Sequence, residues 1–270
     1  PHHRTVAAPE GWRGGPGTHP FATGAWRAPG NNTNTFAREC HIDILAAQVG
    51  KDPVDFRLRN LADQKMRRVL ETTAHQFGWL ETGAPSGRGQ GIALGIDAGT
   101  YVGLAAEVDV DRTSGEVKVE RLVCAQDMGL AINPQGATIQ MEGCLMMGLG
   151  YALAEELRFS GGTVLDTNFD TYEIPRFSWL PEIQTIIVDA TSDPPQGGGE
   201  PAIIVVGAAI ANAIYDAVGA RLYRMPMTAD RVKAAINDQK PDRIRPAARS
   251  RTDQNNRERR AVAEETPELS

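Results

Sequence analysis

The chain has 270 residues, with 28 Lys and Arg against 34 Asp and Glu, a formal net charge of −6, and 41% hydrophobic residues. That length suits one large domain or two ordinary ones, and the acidic balance argues against a partner held through nucleic-acid phosphates. No run of 18 or more consecutive apolar residues is present, so no membrane-spanning helix is expected. The opening Pro1-His2-His3-Arg4 has neither an initiator Met nor a charged-then-apolar signal pattern, as expected of a chain processed or cut from something longer.

In chain order, residues 1–30 are dense in glycine and proline and predict no regular element before Gly30. A first helix is expected over 35–49, with Phe36, Cys40, Ile44, Leu45 and Val49 on one face and Gly50 as the stop. The N-cap and first-turn pair Asp52-Pro53 predicts a second helix over 53–61. A third covers about 66–79, with Val69, Leu70, Thr73 and Phe77 inward. Strands follow at 91–96, 101–110 and 116–124, the last two joined by a hairpin loop at 111–115. Pro134 opens a helix reaching about residue 156, along which Met141, Leu145, Leu149 and Leu153 recur every four residues. Two short strands flank Ser160-Gly161-Gly162, and 183–190 reads as a continuous apolar, buried strand. An apolar helix is expected over 202–218, closed by Gly219, and a last one from Thr228 to about 236. From residue 238 the chain is polar, with eight basic and seven acidic residues, and predicts a disordered tail. The class is mixed α/β (α+β), divided into a lead-in at 1–30, a folded unit at 31–237 that a seam near 85–90 could split in two, and the tail at 238–270.

Three segments look chemical. In Gln196-Gly197-Gly198-Gly199-Glu200-Pro201 the glycines let the backbone approach a ligand with no Cβ in the way, and Pro201 suits a first helical turn. Glu200, at that junction, is either a general base on a rigid element or a carboxylate that favours the helix dipole. In Gly24-Ala25-Trp26-Arg27-Ala28-Pro29-Gly30 the arginine either holds an anionic group or stacks on Trp26. In Gln140-Met141-Glu142-Gly143 the glutamine amide either meets a polar ring or bonds a neighbouring backbone. Asp127-Met128-Gly129 and Ile132-Asn133-Pro134 read as a strand-to-helix turn with polar caps. Cys40, Cys124 and Cys144 form no Cys-x-x-Cys pair and are expected as small buried side chains. His2, His3, His19, His41 and His75 form no His-x-x-x-His pair, so no protein metal site is expected.

In this order, these segments resemble the molybdenum hydroxylases, the xanthine dehydrogenase and aldehyde oxidase relatives. The resemblance runs from the Gly24–Gly30 stretch through Gly50-Lys51-Asp52-Pro53, Asn133-Pro134, Gln140-Met141-Glu142-Gly143 and Gly148-Leu149-Gly150. It ends with Gly197-Gly198-Gly199-Glu200-Pro201 and Ala211-Asn212-Ala213-Ile214. The nearest flavour is the large subunit of the isoquinoline 1-oxidoreductase or aldehyde dehydrogenase type. It implies the second molybdopterin-binding domain of such a subunit, acting as an oxidoreductase that hydroxylates an aldehyde or N-heterocycle with water as oxygen donor.

The resemblance also implies roles. Glu200 matches the catalytic glutamate, a base that takes a proton while the cofactor accepts two electrons. Gln140 matches a glutamine that hydrogen-bonds the pterin. Trp26, Arg27 and Ala28 match the loop close to the molybdenum, and Gly197, Gly198 and Gly199 line the cofactor. The implied cofactor is molybdenum–molybdopterin, in its plain or cytosine dinucleotide form, with no protein side chain on the metal. The family's large subunit is longer and carries pterin-binding Gly-rich loops that are missing here. The expected partners are therefore the remaining large-subunit segment or a split subunit, a small subunit with [2Fe-2S] clusters, and a cytochrome or flavin acceptor. Compartment stays open between cytoplasm and periplasm. A truncated non-catalytic subunit that docks on a partner is the rival reading. A nucleotide-binding module ranks last, because Glu200 would repel the phosphates.

Overall fold

Helix α1 (Asn31–Gln48) starts four residues before its expected position, directly after Gly30, whose φ of 78° suits glycine. The computed structural model that shows this describes residues 25–80 and 86–238, so the expected tail and most of the lead-in lie outside the described residues. The buried side of α1 also differs from expectation. Phe36 and Cys40 point inward, but Glu39 and Asp43 join them, while Leu45 and Val49 are exposed. The reason is charge pairing: Glu39 meets the buried Arg57 at 3.1 Å, and Asp43 meets Arg221 at 2.6 Å. Those pairs rotate the helix away from the face that apolar spacing alone selects.

Helix α2 (Pro53–Asn60) is capped as expected, Asp52 accepting from the Val54 and Asp55 N–H groups. Helix α3 (Gln64–Phe77) is capped by Asp63 and ends on Gly78, and it buries Val69, Leu70, Thr73 and Phe77 as its spacing required. Strands β1 (Arg88–Asp97), β2 (Thr100–Val110) and β3 (Val117–Asp127) form an antiparallel meander. Helix α4 (Pro134–Leu153), capped by Asn133, begins the crossover to β6 (Glu182–Ile187), which pairs parallel to β3. A small hairpin, β4 (Phe159–Ser160) and β5 (Thr163–Val164), turns on Gly161-Gly162 within that crossover. Strand β6 is shorter and less buried than expected, because it is the outer strand of the β1-β2-β3-β6 sheet.

The sheet is covered on both faces. Ile92, Leu94, Ala105 and Val123 meet Leu70 and Phe77 of α3. On the other face lie the 3-10 turn Pro201–Val205 and helix α5 (Val206–Val218), where a single apolar helix was expected; α6 (Ala229–Asn237) closes the described chain. By length and composition Pro201–Val218 could cross a membrane, which the consecutive-run count did not register; 89% of it is buried inside the fold as a core element. Alternation puts Gly89, Gly91, Ala93 and Gly95 on the α5 side of β1. A Cβ on Gly91 would stand 2.1 Å from Ala209 O and 2.3 Å from Ala213 N, so the helix backbone lies directly on the strand. Gly91→Ala is therefore expected to force α5 off the sheet and cost about 1–3 kcal/mol or more. A drop in thermal midpoint of the assembled protein, or loss of soluble yield, checks this.

Candidate functional site

Because β1, β3 and β6 run the same way, their C-terminal ends share one edge of the sheet. The glycine loop crosses that edge. Gln196 N donates to Met128 O at 2.8 Å, Gly197 N to Ala98 O at 3.1 Å, and Thr100 Oγ1 to Gly197 O at 2.7 Å. A Cβ on Gly197 would lie 2.6 Å from that of Ala98, so the loop needs glycine there to lie this close, while one on Gly198 would stand 3.0 Å from the Met128 Sδ. Beneath it the fully buried Gln126 donates to Gly198 O at 3.4 Å and leaves its Oε1 without a partner.

Glu200 ends the loop exposed, with its carboxylate Oε2 accepting the Ala28 N–H at 2.8 Å. Ala28 and Ala98 are the non-glycine residues with positive φ among the described residues, at 54° and 47°. Both hydrogen-bond this one loop. Strain of that kind costs about 1–3 kcal/mol each and clusters where geometry serves function.

Arg27 joins the loop to α4. Its Nε donates to Gly199 O at 3.0 Å, its Nη2 reaches the same oxygen, and Nη2 also donates to Gln140 Oε1 at 2.8 Å. The structure thus brings Arg27, Ala28, Gln140, Gly199 and Glu200 together, with Gly197 and Gly198 behind them. Trp26 turns aside and sets its ring edge-on to Tyr151 at 5.3 Å. So Arg27 neither stacks on Trp26 nor stands free. Asp127 and Asn133 are structural, as read: Asp127 pairs with Arg68 and accepts from Gly129 N, and Asn133 caps α4.

Two neighbours were not read as part of the site, although Cys144 is buried as expected. Cys144 Sγ lies 3.4 Å from Gly199 O and 3.5 Å from Glu200 O, and burial pushes its thiol up to about 11. Met147 Sδ lies 3.2 Å from Arg27 Nη1. Their spacing from Gln140, one and two helical turns, was the available signal. Cys40 and Cys124 are buried as expected, and burial raises both thiols.

Among the described residues no group of three or more His, Cys, Asp or Glu could hold a metal ion. What the edge offers is an exposed amide, side-chain-free backbone and one carboxylate. That set fits a group held through polar ring atoms.

The family profile described as molybdopterin cofactor-binding domain matches residues 39–181, a span that includes Gln140 and ends before Glu200. The chain is 36% identical over 248 residues to one of the subunits of nicotinate dehydrogenase from Pseudomonas putida, covering 84% of this chain and 21% of that one. It is 32% identical over 195 residues to the beta subunit of isoquinoline 1-oxidoreductase from Brevundimonas diminuta, covering 71% and 25%. The fold superposes on quinoline 2-oxidoreductase from Pseudomonas putida 86 with a TM-score of 0.71 at 13% identity, over 81% of this chain and 54% of that one. The chain thus spans about a fifth to a quarter of the length of these two sequence relatives. It belongs to the molybdopterin cofactor-binding domain family.

Proposed function

We propose that this chain is the C-terminal part of the large subunit of a molybdenum hydroxylase. In this reading residues 31–237 form one wall of the cofactor site, and Glu200 is the general base for hydroxylating an aldehyde or N-heterocycle carbon with oxygen from water. The observation that carries the reading is Glu200 itself, exposed at the sheet edge and held by Ala28 at 2.8 Å on a glycine loop. The bound molybdenum–pterin supplies the two-electron oxidation. The chain's own residues do the rest. Glu200 accepts the proton from the attacking oxygen, with its carboxylate kept in one place by the Ala28 N–H. Gly197 to Gly199 let the cofactor lie against backbone, and Gln140 meets the pterin. The apolar α5 behind the loop keeps water from that side. Trp26, packed edge-on against Tyr151, sets the position of the Arg27-Ala28 backbone.

The reading needs other segments. The nicotinate and isoquinoline relatives are named as subunits and are several times longer than the matched region. Helix α4 is apolar on nearly all sides, yet Ile139 is 57% exposed and Ile132, just before it, 76%. Phe177 in the crossover is 97% exposed. Apolar surface of this kind supports a covering partner. The remaining large-subunit segment is that partner in this proposal, and a small [2Fe-2S] subunit receives the electrons. Expression with a companion chain that carries the remaining segment should give a soluble complex holding about one molybdenum per large subunit, able to oxidise an aldehyde or N-heterocycle with a dye as acceptor. A soluble complex with no molybdenum would favour the docking-only reading instead.

A further inference from the structure

Arg27 has little left to offer an anion. Its Nε and Nη2 both donate to Gly199 O, Nη2 also reaches Gln140 Oε1 at 2.8 Å and Gln140 O at 3.3 Å, and Nη1 faces Met147 Sδ at 3.2 Å. All three guanidinium nitrogens are turned onto the protein. The planar fork is rigid, so it holds α4 and the glycine loop in a fixed relation across 113 and 172 residues of sequence. Its own loop is held in turn, because Asn32 Nδ2 donates to Arg27 O at 2.6 Å.

This contact fixes a polarity. A primary amide has one acceptor oxygen and two N–H donors, and arginine can only donate. The prong of Gln140 that faces Arg27 must therefore be the oxygen, and the prong on the other side must be the Nε2 donor. We propose that Arg27 is a positioning residue that locks the exposed Gln140 amide with its donors outward, so that Gln140 binds an acceptor on the pterin, a ring nitrogen or carbonyl oxygen. The inference rests on the molybdopterin reading above and refines it: Arg27 acts on the cofactor through Gln140 and does not grip an anionic group itself.

Gln140→Glu tests the polarity. The carboxylate has the same shape and keeps an acceptor toward Arg27, in a pairing now charge-assisted, but it has no N–H. In the assembled large subunit, molybdenum and pterin per chain are measured after extended buffer exchange, with the thermal midpoint of the cofactor-free protein read alongside. Gln140→Glu should lose cofactor about tenfold faster than the natural protein, the effect of one lost hydrogen bond, while the cofactor-free midpoint stays level or rises. Arg27→Ala should lose cofactor by a similar factor, and added ethylguanidinium should restore part of the retention. Gln140→Glu holding cofactor like the natural protein would overturn the donor assignment. Arg27→Ala doing so would overturn the positioning role. If the natural assembly itself held no molybdenum, the family-based reading would fail first, and that result is separable from either variant.

Discussion

If Glu200 has the proposed role of general base, Glu200→Gln in the assembled large subunit is expected to lower turnover by about 10²–10⁴-fold, while molybdenum content stays near that of the natural protein. The amide keeps the size of the carboxylate and an oxygen that still accepts from Ala28 N, so the loop should not move. What disappears is the carboxylate's capacity to accept a proton. The loss should fall on kcat and on kcat/KM together, because the interaction is made in the transition state. Glu200→Asp makes a graded comparison. Shortening the side chain by one methylene draws the carboxylate back from its 2.8 Å contact with Ala28, so a base remains but is misplaced, and an intermediate rate follows. Full activity in Glu200→Gln with normal molybdenum content would remove Glu200 from the chemistry and leave it a helix-end carboxylate.

The position of Glu200 was legible in the sequence because its signal is local and belongs to the backbone. Three glycines before a proline point to close packing of the loop, and Gly197 does lie where a Cβ would collide with that of Ala98. The hairpin at 111–115 and the Asp52 cap were legible for the same reason. The partner of Gln140 was not legible. Arg27 lies 113 residues away from it, and no spacing rule links a loop arginine to one helix amide. The inward face of α1 was misread because apolar spacing is blind to buried charge. Glu39 and Asp43 turn inward because Arg57 and Arg221 reach them from other elements. For β6, the apolar run 183–190 predicted a buried strand, and only the order of the sheet shows it at the edge.

The second large effect belongs to that misread face. Glu39→Ala is expected to destabilise the folded protein by about 3–5 kcal/mol, the cost of leaving a buried charge without its partner. Glu39 Oε2 accepts from Arg57 Nε at 3.2 Å, Arg57 Nη2 at 3.1 Å and Leu94 N at 3.0 Å, so one truncation strips a guanidinium and a strand N–H at once. Arg57 is only 3% exposed and would keep just the Pro53, Glu39 and Ile92 carbonyls. At about 2–4 °C per kcal/mol for a unit of this size, the thermal midpoint should fall by roughly 6–20 °C. Replacing both partners, Glu39→Leu with Arg57→Met, should recover most of that loss, since the desolvation cost of the charges goes with them. Helix α1 follows Gly30 directly, and Asn32 in its first turn holds Arg27 O, so loosening α1 also frees the strand of chain that sets Ala28 against Glu200. Glu39→Ala should therefore lose activity and stability in step, whereas Glu200→Gln loses activity alone. A midpoint within about 2 °C of the natural protein for Glu39→Ala would show that the ion pair is not what seats α1 on the sheet.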